Sequence, residues 1–289
     1  MNAFVNVVLI SPSSSLSDAI CNQLHLRLRP FIAISPDDLP SLDASLLVEA
    51  IVVDCQALVE FQGADGIAEN KHAQMLERRE VLLQFCQEAC VPYILLSDGR
   101  VFDGFDAPHN GCVENDGVTA ASLAGRQLAE LEVLLTEFSG QGIVLRTGPL
   151  IAVEEGGFIS DCLVTVRGGK VLPLNDAILS CPTPVSDLAR VVSAMVDQLS
   201  CGALCRGVYH YNSSGSTSAY EFAEVVCAFA SQFVAPVAEI TADDDGIGWV
   251  PSVPVLSCDK ILQDFGVKQL PWRAYLPRMV RAICEGASK

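Results

Sequence analysis

The first residues that could do chemistry form a serine-rich turn near the N-terminus. The turn follows an apolar run and precedes a helical pattern that starts near Leu16. Hydroxyls and free backbone N–H groups at the start of a helix can hold an anion such as a phosphate. The same residue types also cap helices without any ligand. We favour the cap, because the turn contains no glycine and its proline lacks an N–H donor. The residues concerned are Ser11, Pro12, Ser13, Ser14 and Ser15.

A second candidate is the polar pair Ser97 and Asp98, which follows the apolar run Tyr93–Leu96. A hydroxyl or a protonated carboxyl at a strand end could pass a proton to a reacting group. Neighbouring residues of a strand point to opposite faces, so only one of the two can face a given site. Both stay candidates for a proton relay.

Histidine and cysteine do not form a metal-binding pattern. The four histidines are dispersed along the chain and suggest neither a metal site nor a triad; they are His25, His72, His109 and His210. Two pairs of cysteines are spaced four residues apart, but no histidine completes either set. We therefore expect packed free thiols and no metal site.

Alternating strands and helices would carry these residues. Short apolar runs predict strands, and longer segments with apolar residues three or four apart predict helices. The predicted strands are Val5–Ile10, Phe31–Ile34, Ala50–Val53, Tyr93–Leu96, Ile143–Leu145 and Gly207–Tyr211. The predicted helices are Leu16–Leu28, Ala73–Ala89, Ala120–Phe138, Ser186–Gln198 and one opened by the capping box Ser218–Glu221. This alternation is typical of an α/β fold with a Rossmann-type, doubly wound parallel sheet.

The same pattern predicts a second, smaller C-terminal lobe. Residues 1–150 would form the nucleotide-binding type of domain, completed by residues 184–212, and residues 151–183 and 213–289 would form the smaller lobe. The boundary follows from a change near Gly148, after which glycine and proline interrupt the regular alternation.

Charge and hydropathy exclude two classes of partner. The 289 residues carry a formal net charge of −17 and no cluster of basic residues, which excludes nucleic acid as a partner. Apolar runs are interrupted well before the roughly 20 residues that a membrane helix needs. The first ten residues lack the basic segment of a signal peptide, so we expect a cytoplasmic protein without a membrane partner.

Four segments match the motifs of a known family in their order and spacing along the chain: Leu96–Gly104, Val144–Gly148, Ser180–Arg190 and Gly207–Ala223. Together they resemble the dTDP-4-dehydrorhamnose reductase family of extended short-chain dehydrogenase/reductases, and the similarity covers most of the chain. The regulatory β subunit of methionine adenosyltransferase belongs to the same group. The resemblance implies a Rossmann fold, an NAD(P)H cofactor and a nucleotide-linked keto-sugar as the substrate. It also implies a ligand cleft around five residues: Phe102, Asp103, Arg146, Asp176 and Thr183.

Three features that the chemistry of this family needs differ in this sequence. The glycine-rich phosphate turn is replaced by the serine-rich turn. The family's tyrosine, which donates a proton, and its lysine, which lowers the pKa of that tyrosine, correspond to Leu123 and Gln127. Asp98 stands where the family has a threonine hydroxyl.

These differences predict a catalytically degenerate, reductase-like protein that acts as a binding or regulatory subunit and needs no cofactor. A protein partner, a homo-oligomer and a nucleotide-sugar ligand are all compatible with the sequence. The alternative is an active NAD(P)H-dependent reductase of dTDP-4-keto-sugars that uses Ser97 or Asp98 as its proton relay.

The cysteines allow a first test. Because we expect an intracellular protein and apolar surroundings for the thiols, most of the 12 cysteines should be reduced. Thiol titration of the denatured, non-reduced protein should recover most of them, with a fully reduced sample as the control. Recovery of only a few thiols would indicate a disulfide framework.

Overall fold

The computed structural model of the chain describes residues 6–41, 44–104, 111–233 and 239–286. The strands are β1 (Asn6–Ile10), β2 (Phe31–Ile34), β3 (Ala50–Asp54), β4 (Tyr93–Asp98), β5 (Gly142–Thr147), β6 (Leu150–Ile151), β7 (Leu172–Leu174), β8 (Thr183–Pro184), β9 (Gly207–Tyr211) and β10 (Ile240–Ala242). The helices are α1 (Ser15–Leu26), α2 (Gln56–Glu60), α3 (Glu69–Glu88), α4 (Leu123–Glu137), α5 (Phe158–Arg167), α6 (Val185–Ser200), α7 (Ala219–Ala230), α8 (Asp259–Phe265) and α9 (Leu276–Gly286). His109 lies outside the described residues.

A parallel sheet of six strands forms the centre of the molecule, in the order β2-β1-β3-β4-β5-β9. The chain adds β2 on one side of β1 and all later strands of this sheet on the other side, so the strand order reverses between β1 and β3. Doubly wound sheets leave a crevice at their carboxyl edge at such a point. Strands β3, β4 and β5 are buried along their whole length, because helices cover both faces. The predicted fold class is therefore confirmed.

Helices cover the two faces of this sheet in separate apolar cores. One core joins the sheet to α1, α6 and α8, and the other joins it to α3 and α4. Within the first core, Ile261 and Phe265 bring α8 back onto the large sheet. The smaller lobe predicted for residues 213–289 therefore lacks this helix, whose seven residues carry too short a pattern to predict its packing.

The six predicted strands are all present, and their ends differ by at most two residues from the prediction within the described ranges. Helix α4 begins at Leu123 rather than Ala120, because the Oγ of Ser122 caps it by accepting a hydrogen bond from the backbone N of Gly125 at 3.0 Å. The sequence pattern does not predict α2, α5, α8 or α9. No helix within the described ranges is long and apolar enough to cross a membrane.

The smaller lobe is built from α5, α7 and α9 around an aromatic core. The ring of Phe222 lies 5.7 Å from that of Phe158, 5.1 Å from that of Trp249 and 4.9 Å from that of Trp272, measured between ring centroids. Two short sheets, β6 with β8 and β7 with β10, flank this core. The lobe thus has its own apolar centre and forms one wall of the space at the carboxyl edge of the sheet.

A fully buried carboxylate, Asp187 in the first turn of α6, joins the two lobes. Its Oδ1 accepts hydrogen bonds from the Nε of Arg190 at 2.9 Å and the hydroxyl of Tyr275 at 2.8 Å. Its Oδ2 accepts from the hydroxyls of Tyr211 and Ser213, both at 2.7 Å. Tyr211 ends β9 of the large sheet, whereas Tyr275 precedes α9 of the smaller lobe, so one side chain orients both.

The substitution Asp187→Ala should destabilise the protein by about 3–5 kcal/mol, because it leaves Arg190 and three hydroxyls without their acceptor. The matched control on the same helix is Asp197→Ala. Asp197 pairs with Arg27 and Arg29 but is 31% exposed, so this change should cost at most about 1 kcal/mol. Denaturant unfolding measures both losses, and equal losses would contradict the role given to Asp187.

Candidate functional site

The serine-rich turn caps α1 from within the chain. The Oγ of Ser14 accepts a hydrogen bond from the backbone N of Ser17 at 3.1 Å, and the Oγ of Ser17 accepts one from the backbone N of Ser14 at 2.9 Å. This reciprocal pair is a capping box with serine at both positions. One of the N–H groups that a phosphate would bind at the helix start is thus already bound, and the helix cap predicted from the sequence is present.

Strand β4 ends at a buried ion pair between Asp98 and Arg100. The carboxylate of Asp98 is 1% exposed and accepts hydrogen bonds from the Nε of Arg100 at 3.0 Å and from its Nη2 at 2.6 Å. The backbone N of Arg100 also donates to this carboxylate and starts the 3₁₀ turn Gly99–Phe102. A void of about 10 Å³ is left beside the pair, which is at the lower limit for one water molecule. Arg100 therefore leaves no room for a ligand larger than water beside the carboxylate of Asp98.

The segment that follows α2, residues 61–67, lies over this ion pair, and we call it the covering segment. The Nη1 of Arg100 donates to the carbonyl of Phe61 at 3.0 Å and to the carbonyl of Ala64 at 2.9 Å. Since the other nitrogens of the guanidinium serve Asp98, the side chain links the end of β4 to the covering segment.

The other end of the covering segment is held by α4. The side chain of Gln127 accepts a hydrogen bond from the backbone N of Ile67 at 2.9 Å and donates one to the carbonyl of Ile67 at 2.8 Å. A Cβ atom at Gly66, whose φ is +106°, would lie 2.8 Å from the Cγ of Leu123 and 2.9 Å from the Oε1 of Gln127. The covering segment is thus in direct contact with both side chains, and only glycine fits there.

Ser97 belongs to a buried polar cluster on the face of the sheet that α4 covers. Its Oγ donates to the Oε1 of Glu132 at 2.6 Å, and Arg146 donates to the same carboxylate through its Nη2 at 2.6 Å. All three residues are at most 3% exposed. The hydroxyl of Ser97 is therefore held by Glu132 and does not face the carboxyl edge of the sheet.

His210 extends this cluster toward β9. Its Nδ1 lies 3.2 Å from the carbonyl of Cys112, and its Nε2 lies 3.4 Å from the Nη1 of Arg146. Burial, together with the nearby charge of Arg146, lowers the pKa of His210 from 6.5 to about 3. The imidazole is therefore neutral at neutral pH, with Nδ1 as the donor and Nε2 as the acceptor.

An open cleft lies between the large sheet and the smaller lobe. One cavity there has a volume of about 750 Å³, within the range of small-molecule sites, and is lined by α5, β6 and β7. A second cavity of about 530 Å³ adjoins it at Gly63 and Val250 and reaches Arg100 and Asp103. The covering segment contributes Gly63 to both cavities, so it separates the cleft from Asp98.

The family model of the RmlD substrate binding domain matches residues 41–284. The chain belongs to this family. A curated relative, the dTDP-4-dehydrorhamnose reductase of Sinorhizobium fredii (strain NBRC 101917 / NGR234), is 27% identical over 199 residues, which cover 67% of each protein. The family expected from the four sequence segments is thereby confirmed.

Solved structures share the fold of this RmlD-family chain at lower identity. A dTDP-4-dehydrorhamnose reductase of Clostridium acetobutylicum has a TM-score of 0.76 and 18% identity, over 96% of this chain and 99% of that one. The reductase of Bacillus anthracis, in complex with NADP, has a TM-score of 0.76 and 16% identity, over 97% and 100%. The UDP-N-acetylglucosamine 4-epimerase of Bacillus cereus has a TM-score of 0.74 and 13% identity, over 96% and 99%. At these identities the similarity establishes the fold alone.

Three of the five cleft residues implied by the RmlD-family resemblance lie inside the protein. Phe102, Arg146 and Thr183 are at most 3% exposed. The ring of Phe102 packs under the guanidinium of Arg146 at 4.8 Å, and the Oγ1 of Thr183 donates to the carbonyl of Cys181 at 3.1 Å. These three side chains support the walls and do not face the cleft.

The other two implied residues, Asp103 and Asp176, are closer to solvent. Asp103 lines the second cavity, but its Oδ1 accepts a hydrogen bond from the backbone N of Ala121 at 2.5 Å. This bond fixes the chain just before the start of α4. Asp176 is exposed and accepts from the Oγ of Ser218, the residue that caps α7, at 2.6 Å. Of the five, only Asp103 is among the residues that line the two cavities described above.

Sequence reasoning missed Arg100 and the covering segment. An aspartate followed two residues later by an arginine, across a glycine, could have suggested a local ion pair. The carbonyl partners in the covering segment are 36 and 39 residues away in the sequence, so no local pattern predicts them.

His210 should make stability depend on pH. Its pKa is about 3 when folded and about 6.5 when unfolded, so the unfolded state binds the proton more readily. The free energy of unfolding should therefore fall as the pH drops from about 6.5 toward 3, by about 1.4 kcal/mol per pH unit from this group. Unfolding of the wild type and of His210→Gln at several pH values measures the difference, with exposed His25→Gln as the control. A difference that does not change with pH would contradict this assignment.

Proposed function

We propose that this member of the RmlD family transfers no hydride and acts as a binding or regulatory subunit. The observation that carries the proposal is the covering segment, which Arg100 holds at one end and Gln127 at the other. The first attachment lies two residues after Asp98, where the resemblance puts the hydroxyl donor, and the second is at Gln127, where it puts the lysine. A segment of the chain thus takes the space between the catalytic positions of a reductase.

The residues at those positions cannot supply the proton that ketone reduction needs. Positioned acid catalysis typically contributes 10²–10⁴-fold to such a step. Leu123 has no acidic proton, Gln127 has no charge that could lower the pKa of a neighbour, and the carboxylate of Asp98 is held in an ion pair by Arg100. The one nearby hydroxyl considered from the sequence, that of Ser97, donates to Glu132.

The serine-rich turn and the surroundings of Asp98 do not fit a nicotinamide dinucleotide. At the pyrophosphate end, Ser14 binds an N–H group of α1, and side chains replace the glycines that admit a phosphate close to the backbone. At the nicotinamide end, about 10 Å³ is left between Asp98, Arg100 and Leu58. The proposal therefore assigns no cofactor to this protein.

The second candidate function is an active dTDP-4-keto-sugar reductase, which the kinship to the Sinorhizobium fredii reductase favours. Such activity would require the covering segment to leave Arg100 and Gln127. It would also require Ser97 or Asp98 to release its present partner and turn to the substrate. Both steps break buried hydrogen bonds to charged groups, which typically contribute about 1.5–3 kcal/mol each.

The proposal predicts no turnover of a keto-sugar. The purified protein is incubated with NADH or NADPH and a dTDP-4-keto-6-deoxy sugar, and absorbance and products are followed for hours. We expect the same rate as in a control without protein, because the protein has neither a positioned proton donor nor a binding site for the cofactor.

The variants Ser97→Ala and Asp98→Ala distinguish the two candidate functions. Turnover that increases with the amount of wild-type protein and is lost in either variant would establish the active reductase. The single variants also separate the two possible relays, because Ser97 and Asp98 bind different partners.

A further inference from the structure

Strand β2 forms a lateral edge of the large sheet. Among the described residues, β1 is the only strand that pairs with it. The carbonyls of Pro30 and Ile34 accept hydrogen bonds from β1 and from the residue that follows it, at 3.0 and 3.1 Å. Because a strand alternates its backbone groups between its two sides, those of Phe31 and Ala33 point away from β1. Such a row of N–H and C=O groups is a template for a further strand.

This edge lacks the features by which many proteins keep edge strands apart. Such strands often carry a charged side chain or a proline, but β2 (Phe31–Ile34) contains neither. The side chain of Ile32 is 37% exposed, and the turn before the strand adds Leu26 and Leu28, which are 74% and 80% exposed. The edge is therefore apolar over seven residues except for two arginines.

The turn that presents these leucines has a fixed conformation. Leu28 has a φ of +55°, in the left-handed region where helices usually end on glycine. For a residue with a Cβ atom this conformation costs about 1–2 kcal/mol. Arg27 and Arg29, on either side of it, both bind Asp197 of α6. Because its side chain is mostly exposed, Leu28 gains little packing within the monomer that would offset this cost.

The two ends of β2 carry opposite charges. Before the strand, Arg27 and Arg29 share one aspartate of α6, which leaves one positive charge. After it, the 3₁₀ turn Pro36–Ser41 carries Asp37 and Asp38, and one arginine of α3 lies 3.6 Å from Asp37, which leaves one negative charge. Two antiparallel copies of β2 would place the positive end of each beside the negative end of the other. The edge is thus complementary in charge to itself.

We propose that this edge binds a second copy of the chain, with the two β2 strands antiparallel about a two-fold axis at Ile32. In this register Phe31 of each copy lies opposite Ala33 of the other, so all the outward-facing N–H and C=O groups of both strands are paired. A shift of the axis to either of these residues would pair only half of them. The net charge of −17 makes two copies repel each other, which favours a contact whose centre is uncharged.

The association of the full-length protein, measured by analytical ultracentrifugation, tests this proposal. Over a hundredfold range of concentration we expect a reversible shift from the monomer toward twice its mass of 30.8 kDa. Ile32→Lys sets two cations against each other at the axis and should weaken the dimer at least tenfold. The control Val133→Lys changes an apolar residue of α4 that is 48% exposed, and it should leave the dimer unchanged. Circular dichroism of both variants should match that of the wild type.

A cysteine at the axis tests the register without adding charge. Residues that face each other in a non-hydrogen-bonded antiparallel pair have Cα atoms about 4.5 Å apart, which a disulfide can span. Ile32→Cys should therefore form a covalent dimer under a mild oxidant. The wild type and Val133→Cys, oxidised in the same way, should stay free of this cross-link.

Four results would overturn the proposal: a monomer at every concentration, a dimer that withstands Ile32→Lys, equal weakening by Val133→Lys, or no cross-link in Ile32→Cys. None of these measures catalysis, and the edge strand is the same in a reductase and in a binding subunit. Turnover of a dTDP-4-keto-sugar would overturn the proposed function and leave this inference standing.

Discussion

The buried pairing of Asp98 with Arg100 is the interaction on which the form of this site depends. A carboxylate buried at the end of β4, beneath the sheet and α2, needs a cation and hydrogen bonds to offset the loss of its hydration. Arg100 provides both from two residues away, through its Nε and Nη2. Its Nη1 is then buried as well and needs acceptors of its own. The carbonyls of Phe61 and Ala64 supply them, so a charge on β4 determines the path of a distant segment.

The residues that hold the covering segment depend on one another. Gln127 can both donate to and accept from the backbone of Ile67, which a lysine at this position could not do. Gly66 adopts a φ of +106° with no room for a Cβ atom against Leu123. Restoring a tyrosine or a lysine in α4 would therefore displace the segment and leave Arg100 without two of its acceptors. The energetic effects of substitutions at these positions should therefore not be additive.

Local features of this chain could be predicted from its sequence, and distant pairings could not. The strands β3, β4 and β5 are apolar because both of their faces are buried, and the serine cap of α1 involves residues three positions apart. The partners of Arg146 are different, since they come from α4 and β9. A family resemblance placed Arg146 and Phe102 at the cleft, yet a buried carboxylate on α4 draws the arginine inward. Only tertiary structure reveals which partner a charged side chain has.

The helices and strands of this chain pack around three separate apolar cores. Two of these cores cover the faces of the sheet, and Phe61, the first residue of the covering segment, is buried in one of them. The wall of the cleft rests on a third core around Phe222, Trp249 and Trp272. An exposed side chain of α5, such as that of Asp161, can therefore be replaced without disturbing the packing of the sheet. Phe61 of the covering segment and the wall that the smaller lobe gives to the cleft belong to different cores, so a substitution in one need not alter the packing of the other.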